Sequence, residues 1–413
     1  MAYQFNVSAL KVGAETSFGA GGSGAAFIET EGDAAEDLKR QYIEKDAPRL
    51  GVDGHTEGQI GPDDGSTLSI TRRLRGYDAG TVSDAPALAT DFTTEMRIAS
   101  AALGGAYAGG YGAITGETST VSNLVLTDAS SFVDGQVIVV NGELTQVLEA
   151  TTGGSEELSL VVPLSAAPTD GMVVYGTAIV YVADTYNATY GTSLYAEKLG
   201  QAADDFIEMV GMRPGSLKFE SDPKGHFKMM ADLGMASWSR AGSGGAPAGL
   251  TESEPEPPIW INGKLVVYNR TTDTRTEIDC SKAEIDYLLS MVARMDPNAT
   301  YGIGEWDRAE CRPQVTVDPI QGTEDDAAGW AYSYANKHKF SIVLQAGTTA
   351  GDIVGHVIPY AQIIQEPAKK DREGFVAREL VFGALKNTIN STETSDTYDA
   401  DDPADKIGLI AWG

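Results

Sequence analysis

The chain has 413 residues, of which 59 are acidic and 30 are basic, and its formal net charge is −29. A surface this rich in carboxylates repels phosphate and lacks the basic contacts that release counterions, so direct DNA binding is disfavoured. The only cysteines, Cys280 and Cys311, have no CxxC partner or nearby histidine, which disfavours a disulfide scaffold and a structural zinc site.

The chain is long enough for two or three domains and a large core. Strand-like runs are frequent, helical periodicity is scarce and glycine is abundant, with 47 residues, which predicts a mainly β protein. Its start has no signal sequence, and no apolar run of about 18 residues occurs. We therefore expect synthesis in the cytoplasm and no membrane attachment.

Residues 1–53 predict an N-terminal arm and loop. Its Gly-rich stretch, residues 15–27, lacks the Lys-Ser/Thr that a phosphate-binding loop needs. Residues 66–75 then alternate, with Leu68 and Ile70 on one face, and predict a half-buried strand. This strand ends in Arg72, Arg73 and Arg75, which we interpret as partners of carboxylates within the fold or between subunits rather than as DNA contacts.

Residues 91–104 predict a helix that lies on a sheet. Asp91 or Thr93 can cap its start, and Gly104-Gly105 ends it. Residues 120–182 then change character and show short, evenly spaced strands, the last of them predicted at Met172–Val182. Asn141-Gly142 is a two-residue hairpin signal within this segment. We interpret residues 120–182 as a small β-barrel inserted into a main domain formed by residues 54–119 and 183–413, and as a unit that projects from it.

The second part of the main domain contains a predicted hairpin at residues 215–234 and a capping box, Ser281-Lys-Ala-Glu284, that predicts a second helix. Cys280 is expected to pack against Ile285 beside that helix. Long strands are predicted at 355–364 and 375–382, joined by a charged loop. The apolar end, residues 406–412, must be held by the sheet or by a neighbouring subunit.

No catalytic residue or cofactor site is predicted. The four histidines are scattered, and neither HExxH nor GxSxG occurs. An acidic stretch near the end of the chain contains five carboxylates that are weak candidates for calcium ligands. The spacing of an EF-hand is missing, so a solvated loop is favoured. These residues are Asp396, Asp399, Asp401, Asp402 and Asp405.

The order of these elements resembles the tail tube proteins of long-tailed, siphovirus-like viruses of bacteria or archaea. The resemblance covers residues 50–117 and 183–413: a charged strand, a short helix, the hairpin at 215–234, a capped helix and the paired strands at 355–383. It implies a β-sandwich or barrel-like sheet with one or two flanking helices. It also implies a structural, non-enzymatic virion protein that forms rings, stacked into a tail tube.

The partners that this resemblance implies are further copies of the chain, other tail proteins, and viral DNA that passes through the lumen without specific binding. No internal duplication is evident, which favours six copies per ring over three of a duplicated fold. Arg72, Arg73, Arg75 and Trp412 are the candidate inter-subunit residues. The alternative is a virion decoration or host-binding adhesin that uses the inserted barrel.

Overall fold

The structure is a computed structural model that describes most of the chain. All structural statements below concern its described residues, which are 9–19, 26–28, 35–39, 42–44, 58–60, 65–76, 93–108, 111–114, 119–152, 156–183, 191–199, 206–221, 225–240, 257–260, 263–319, 329–349, 351–367, 369–372, 375–386 and 407–412.

The elements are mostly short strands, as the prediction of a mainly β protein requires. In the first half of the chain they are β1 (Ala9–Ala14), β2 (Ala26–Ile28), β3 (Ala35–Asp37), β4 (Tyr42–Glu44), β5 (Gly58–Ile60), β6 (Thr67–Arg73), α1 (Thr94–Leu103), β7 (Gly104–Ala108), β8 (Tyr111–Ala113), β9 (Asn123–Val125), β10 (Val137–Val140), β11 (Glu143–Thr151), β12 (Glu157–Leu160), β13 (Val173–Gly176), β14 (Ala178–Val182) and β15 (Leu194–Leu199).

In the second half they are β16 (Phe206–Ser221), β17 (Phe227–Gly234), β18 (Ser237–Arg240), β19 (Lys264–Asn269), β20 (Thr274–Glu277), β21 (Cys280–Asp286), β22 (Ser290–Met295), β23 (Ile303–Glu310), β24 (Gln314–Pro319), α2 (Trp330–Ala335), β25 (Phe340–Ala346), β26 (Val354–Ile363), β27 (Lys369–Arg372), β28 (Phe375–Arg378), β29 (Leu380–Ala384) and β30 (Leu409–Trp412). The prediction of a mainly β fold is confirmed.

An antiparallel sheet of 18 strands dominates the described part of the chain. The long strand β16 holds it together, because its first half pairs with β15 and β18 and its second half with β17 and β21. From β17 the sheet continues to β6 and β3. From β21 it continues through β24 and β29 to β26, which also pairs with β25 and β30. Side chains from these strands form the largest apolar core of the described residues.

Helix α1 lies inside that core. Thr93 caps its start by accepting a hydrogen bond from the Met96 amide, and Gly104, at φ 92°, ends it in the left-handed conformation. Apart from Arg97, its residues are buried, which is expected of a helix whose small and apolar side chains point in all directions. The predicted helix is confirmed, although it is enclosed by the sheet rather than flanking it.

A second sheet of six strands, β8-β13-β10-β11-β12-β9, forms the inserted barrel. A bridge between Ile114 and Leu126 joins its two ends, and its interior is a separate apolar cluster. Asn141 (φ 51°) and Gly142 (φ 73°) make the predicted turn between β10 and β11. The barrel strands span Tyr111–Gly176 rather than 120–182.

The barrel packs on the main sheet instead of projecting from it. A further apolar cluster joins Val137 and Leu144 of the barrel to Val343, Val357 and other side chains of the main sheet. The Gln345 side chain accepts a hydrogen bond from the Leu144 amide and donates one to the Gly142 carbonyl, both at 2.7 Å. Strands β25, β26, β14 and β30 are consequently buried on both faces.

Several local predictions are wrong. The capping box at 281–284 lies in β21, where Ala283 and Ile285 are buried and alternate with half-exposed polar neighbours. Pairing with β16 and β24 therefore outweighs the local helix signal. The staple of Cys280 on Ile285 is absent with that helix. The strand predicted over Met172–Val182 is divided between β13 in the barrel and β14 in the main sheet.

The N-terminal arm and the closing hairpin also differ from expectation. Within residues 1–53, β1 is integrated in the main sheet beside β15. The buried Glu15 carboxylate holds the following turn by accepting hydrogen bonds from the amides of Gly19 and Gly211 at 2.9 and 2.8 Å. The predicted strand at 375–382 is two strands, β28 and β29, and only β29 pairs with β26.

Candidate functional site

One face of the main sheet carries polar side chains on five neighbouring strands, β6, β17, β16, β21 and β24. In β17, for example, Met229 and Ala231 point to the core while Asp232 is exposed. We call this surface the polar face. Its members, in register across the strands, are Thr67, Ser69, Thr71, Arg73, Ser216, Lys218, Glu220, Lys228, Met230, Asp232, Lys282, Glu284, Asp286, Gln314, Thr316 and Asp318.

The two lysines at the centre of the polar face are paired with carboxylates. Lys218 Nζ lies 2.7 Å from Asp286 Oδ2 and 3.9 Å from Glu284 Oε1. Lys282 Nζ lies 2.9 Å from Glu220 Oε1 and 3.4 Å from Glu284 Oε2. The hydrogen bond to Asp286 raises the pKa of Lys218, and the hydrogen bond to Glu220 raises the pKa of Lys282. The pairs are half-exposed and add little stability, but they neutralise both cations.

Asp232 is held in place on the same face by two hydroxyls. Ser69 Oγ donates to its Oδ1 at 2.6 Å, and Ser216 Oγ donates to its Oδ2 at 2.7 Å. Among the described residues of the polar face, the acidic side chains Glu220, Asp232, Glu284, Asp286 and Asp318 outnumber the basic side chains Arg73, Lys218, Lys228 and Lys282. The surface therefore presents ordered carboxylates to solvent.

The predicted arginine cluster is divided by the alternation of β6. Arg72 points to the core, where its Nε lies 2.6 Å from Glu95 Oε1 in the first turn of α1, and both side chains are 2% exposed. Arg73 is exposed on the polar face, and Arg75 is half-buried beyond the strand. Arg72 thus has a carboxylate partner inside its own chain, which is one of the two placements that the sequence predicted.

A two-stranded hairpin, β22–β23, lies beside the polar face. Its outer side exposes Val292 and Met295, which are 54% and 57% exposed. On its inner side, Trp306 Nε1 donates to the Gly211 carbonyl at 2.9 Å, and Arg308 Nη1 donates to the Leu103 carbonyl at 2.6 Å. The cation at the end of α1 is favourable for the helix dipole. The hairpin is therefore fixed at its inner side, while its outer side exposes Val292 and Met295 beside the ion pairs of Arg294 with Glu305 and Asp307.

The remaining sequence candidates are an acidic stretch and Trp412. Asp396, Asp399, Asp401, Asp402 and Asp405 lie outside the described residues, and the described part of the chain contains no group of His, Cys, Asp and Glu that would hold a metal ion. Trp412, a candidate inter-subunit residue, is fully buried between β14 and β26 of its own chain. Within the described residues, no helix is long and apolar enough to cross a membrane.

His356 is a buried titratable residue that the sequence did not distinguish. It lies on β26 with its ring centroid 4.3 Å from that of Phe219 and 5.5 Å from that of Phe227. Tyr287 Oη is 3.4 Å from Nδ1, while Nε2 has no hydrogen-bond partner among the described residues. Burial without a nearby carboxylate lowers the pKa of His356 to about 3.

We expect His356 to make the protein less stable in acid. Because the pKa is about 6.5 in the unfolded chain and about 3 in the folded one, the stabilisation is complete above pH 6.5 and is lost as pH falls from 6.5 towards 3. Between pH 7 and 4.5 this loss is roughly 2–3 kcal/mol. Urea titrations of His356→Leu should show a correspondingly smaller decrease in unfolding free energy over that interval. If the unfolding free energy of His356→Leu decreases as much as that of the wild type, the assignment is contradicted.

Comparison with known proteins adds no relative: no protein family model and no curated protein matches this chain.

The polar face was missed by sequence reasoning because its two halves lie far apart in the chain. The signal was present in the alternation of Ser216, Lys218 and Glu220 and of Lys282, Glu284 and Asp286, but the latter run was interpreted as the start of a helix.

Proposed function

We propose that this protein is a structural subunit that assembles into stacked rings forming a viral tail tube, with the polar face lining the lumen. The observation that supports this best is the two-sided character of the sheet: an apolar core lies on one side, and on the other is an open surface whose central lysines are each held by carboxylates. A conduit for DNA needs a wall without unpaired cations, because each one would add a salt-dependent phosphate contact in every subunit.

The sheet also offers edges for association. Within the described residues, β3, β18 and β20 each pair along one edge only, and open edges are satisfied when subunits close a ring. The hairpin β22–β23 adds exposed apolar side chains next to the polar face. The adhesin alternative receives less support, because the barrel is docked on the main sheet through a shared apolar cluster.

Electron microscopy of the purified protein at high concentration tests the assembly. We expect rings or hollow tubes, alone or after addition of tail-initiating proteins. A chain that remains monomeric under both conditions would rule out the proposed function.

The lumen assignment has a separate test. The triple substitution Glu220→Gln, Glu284→Gln and Asp286→Asn removes the partners of Lys218 and Lys282, so tubes of this variant should retain a fluorescent DNA duplex at least about tenfold more strongly at low salt, with the gain lost at high salt. The control Glu277→Gln removes an exposed carboxylate that pairs with Arg275 away from the polar face, and its tubes should behave as wild type. If the triple variant forms tubes that retain DNA no more strongly than wild-type tubes do, the polar face does not line the lumen.

A further inference from the structure

The last strand of the chain, β30, fills a slot in the middle of the main sheet. It pairs with β14 along one edge and with β26 along the other. Its side chains alternate between two apolar clusters: Ile410 and Trp412 enter the main core, and Leu409 and Ala411 face the barrel. All of them are 0% exposed.

Without β30 the slot would lack both its strand pairing and its side-chain packing. The facing edges of β14 and β26 would lose their hydrogen-bond partners, and the side chains on both sides of the slot would face a gap. Buried backbone groups and apolar surfaces of this kind are costly to leave unsatisfied. The slot therefore fits a strand with an apolar residue at every position, as in β30.

The connection to β30 is long and polar in sequence. Between Lys386 and Ile407 lie residues 387–406, which are rich in Asp, Thr and Ser. An extended chain spans at most about 3.6 Å per residue, so this segment reaches roughly 70 Å at full extension. Strands β29 and β30 pair with neighbouring stretches of β26, at 361–363 and 354–357, so a much shorter connection would join them within one chain. The connection present is long enough to reach an adjacent copy.

We propose that β30 is an exchangeable strand, which occupies the slot of its own chain in the free subunit and the slot of a neighbouring copy after assembly. This proposal rests on the proposed function, since it names the contact that links subunits. A strand from a second copy makes the same hydrogen bonds and apolar contacts as the chain's own strand, so the exchange itself costs little. High local concentration within a stack of subunits then favours the linked form. In that form Trp412 lies at a subunit contact.

Disulfide trapping distinguishes the two arrangements in the full-length protein. Cys280→Ala and Cys311→Ala first remove the native cysteines. Ile179→Cys with Ala411→Cys then places thiols at opposing positions of β14 and β30, and Val357→Cys with Leu409→Cys does so at the β26 edge. Whichever of these two cysteine pairs forms a disulfide in the free subunit is then used in the assembly experiment. Val139→Cys with Leu144→Cys is the control, because β10 and β11 are joined by a two-residue turn and must bond within one chain.

Oxidation after assembly, followed by a denaturing gel without reductant, gives the result. We expect tubes with the β30 pair to yield covalent dimers and higher oligomers, whereas the control pair yields monomers. Tubes that yield only monomers with the β30 pair would overturn strand exchange and leave the tube function intact. If no tubes form, the tube function fails, and the same gel is run on protein refolded at high concentration: oligomers there support the exchange, and monomers alone overturn it.

Discussion

Replacing Arg72 with methionine is expected to lower the free energy of unfolding by about 3–5 kcal/mol. The substitution leaves the carboxylate of Glu95 in the core without its partner 2.6 Å away, and both side chains are 2% exposed. An unpaired charge in such a place is costly because little water can reach it. Urea denaturation followed by tryptophan fluorescence measures the loss.

Two further variants separate this charge effect from a loss of packing. In the double variant Arg72→Met with Glu95→Leu, both charges are absent, so most of the stability should return. Arg73→Met changes the exposed neighbour on the opposite face of β6 and should cost less than about 0.5 kcal/mol. If the double variant is as unstable as Arg72→Met, the ion pair is not the reason for the loss.

Trp412→Ala is expected to cost about 3–5 kcal/mol, as for other large side chains removed from a core. Trp412 is fully buried at the end of β30, and its removal leaves a cavity beside both β14 and β26. Trp412→Phe should cost much less, because it keeps an aromatic ring and removes an indole N–H that has no hydrogen-bond partner among the described residues. Thermal and urea denaturation measure the loss of unfolding free energy in both variants. A loss below about 1 kcal/mol for Trp412→Ala would show that the indole contributes little to the packing of β30.

Local structure was largely determined by the sequence. Thr93 and Gly104 mark the ends of α1 because a hydroxyl acceptor and a residue without a Cβ satisfy groups at the helix ends that have no partner within the helix. Asn141-Gly142 makes its turn because both residues tolerate positive φ. The alternation of Leu68 and Ile70 with polar neighbours identified β6, since successive side chains of a strand point to opposite faces.

Only the tertiary structure decided which of these local preferences persist and what they pack against. Ser281 to Glu284 satisfy a helix-start pattern, yet the residues form a strand because Ala283 and Ile285 gain burial between β16 and β24, and burial of a whole face exceeds the free energy of one helix cap. The partners of Arg72, Lys218 and His356 lie on other elements, far away in the chain, so local pattern could not assign them. The same holds for Trp412: its apolar neighbours indicated that something must cover the chain end, but only the pairing of β30 with β14 and β26 shows what does.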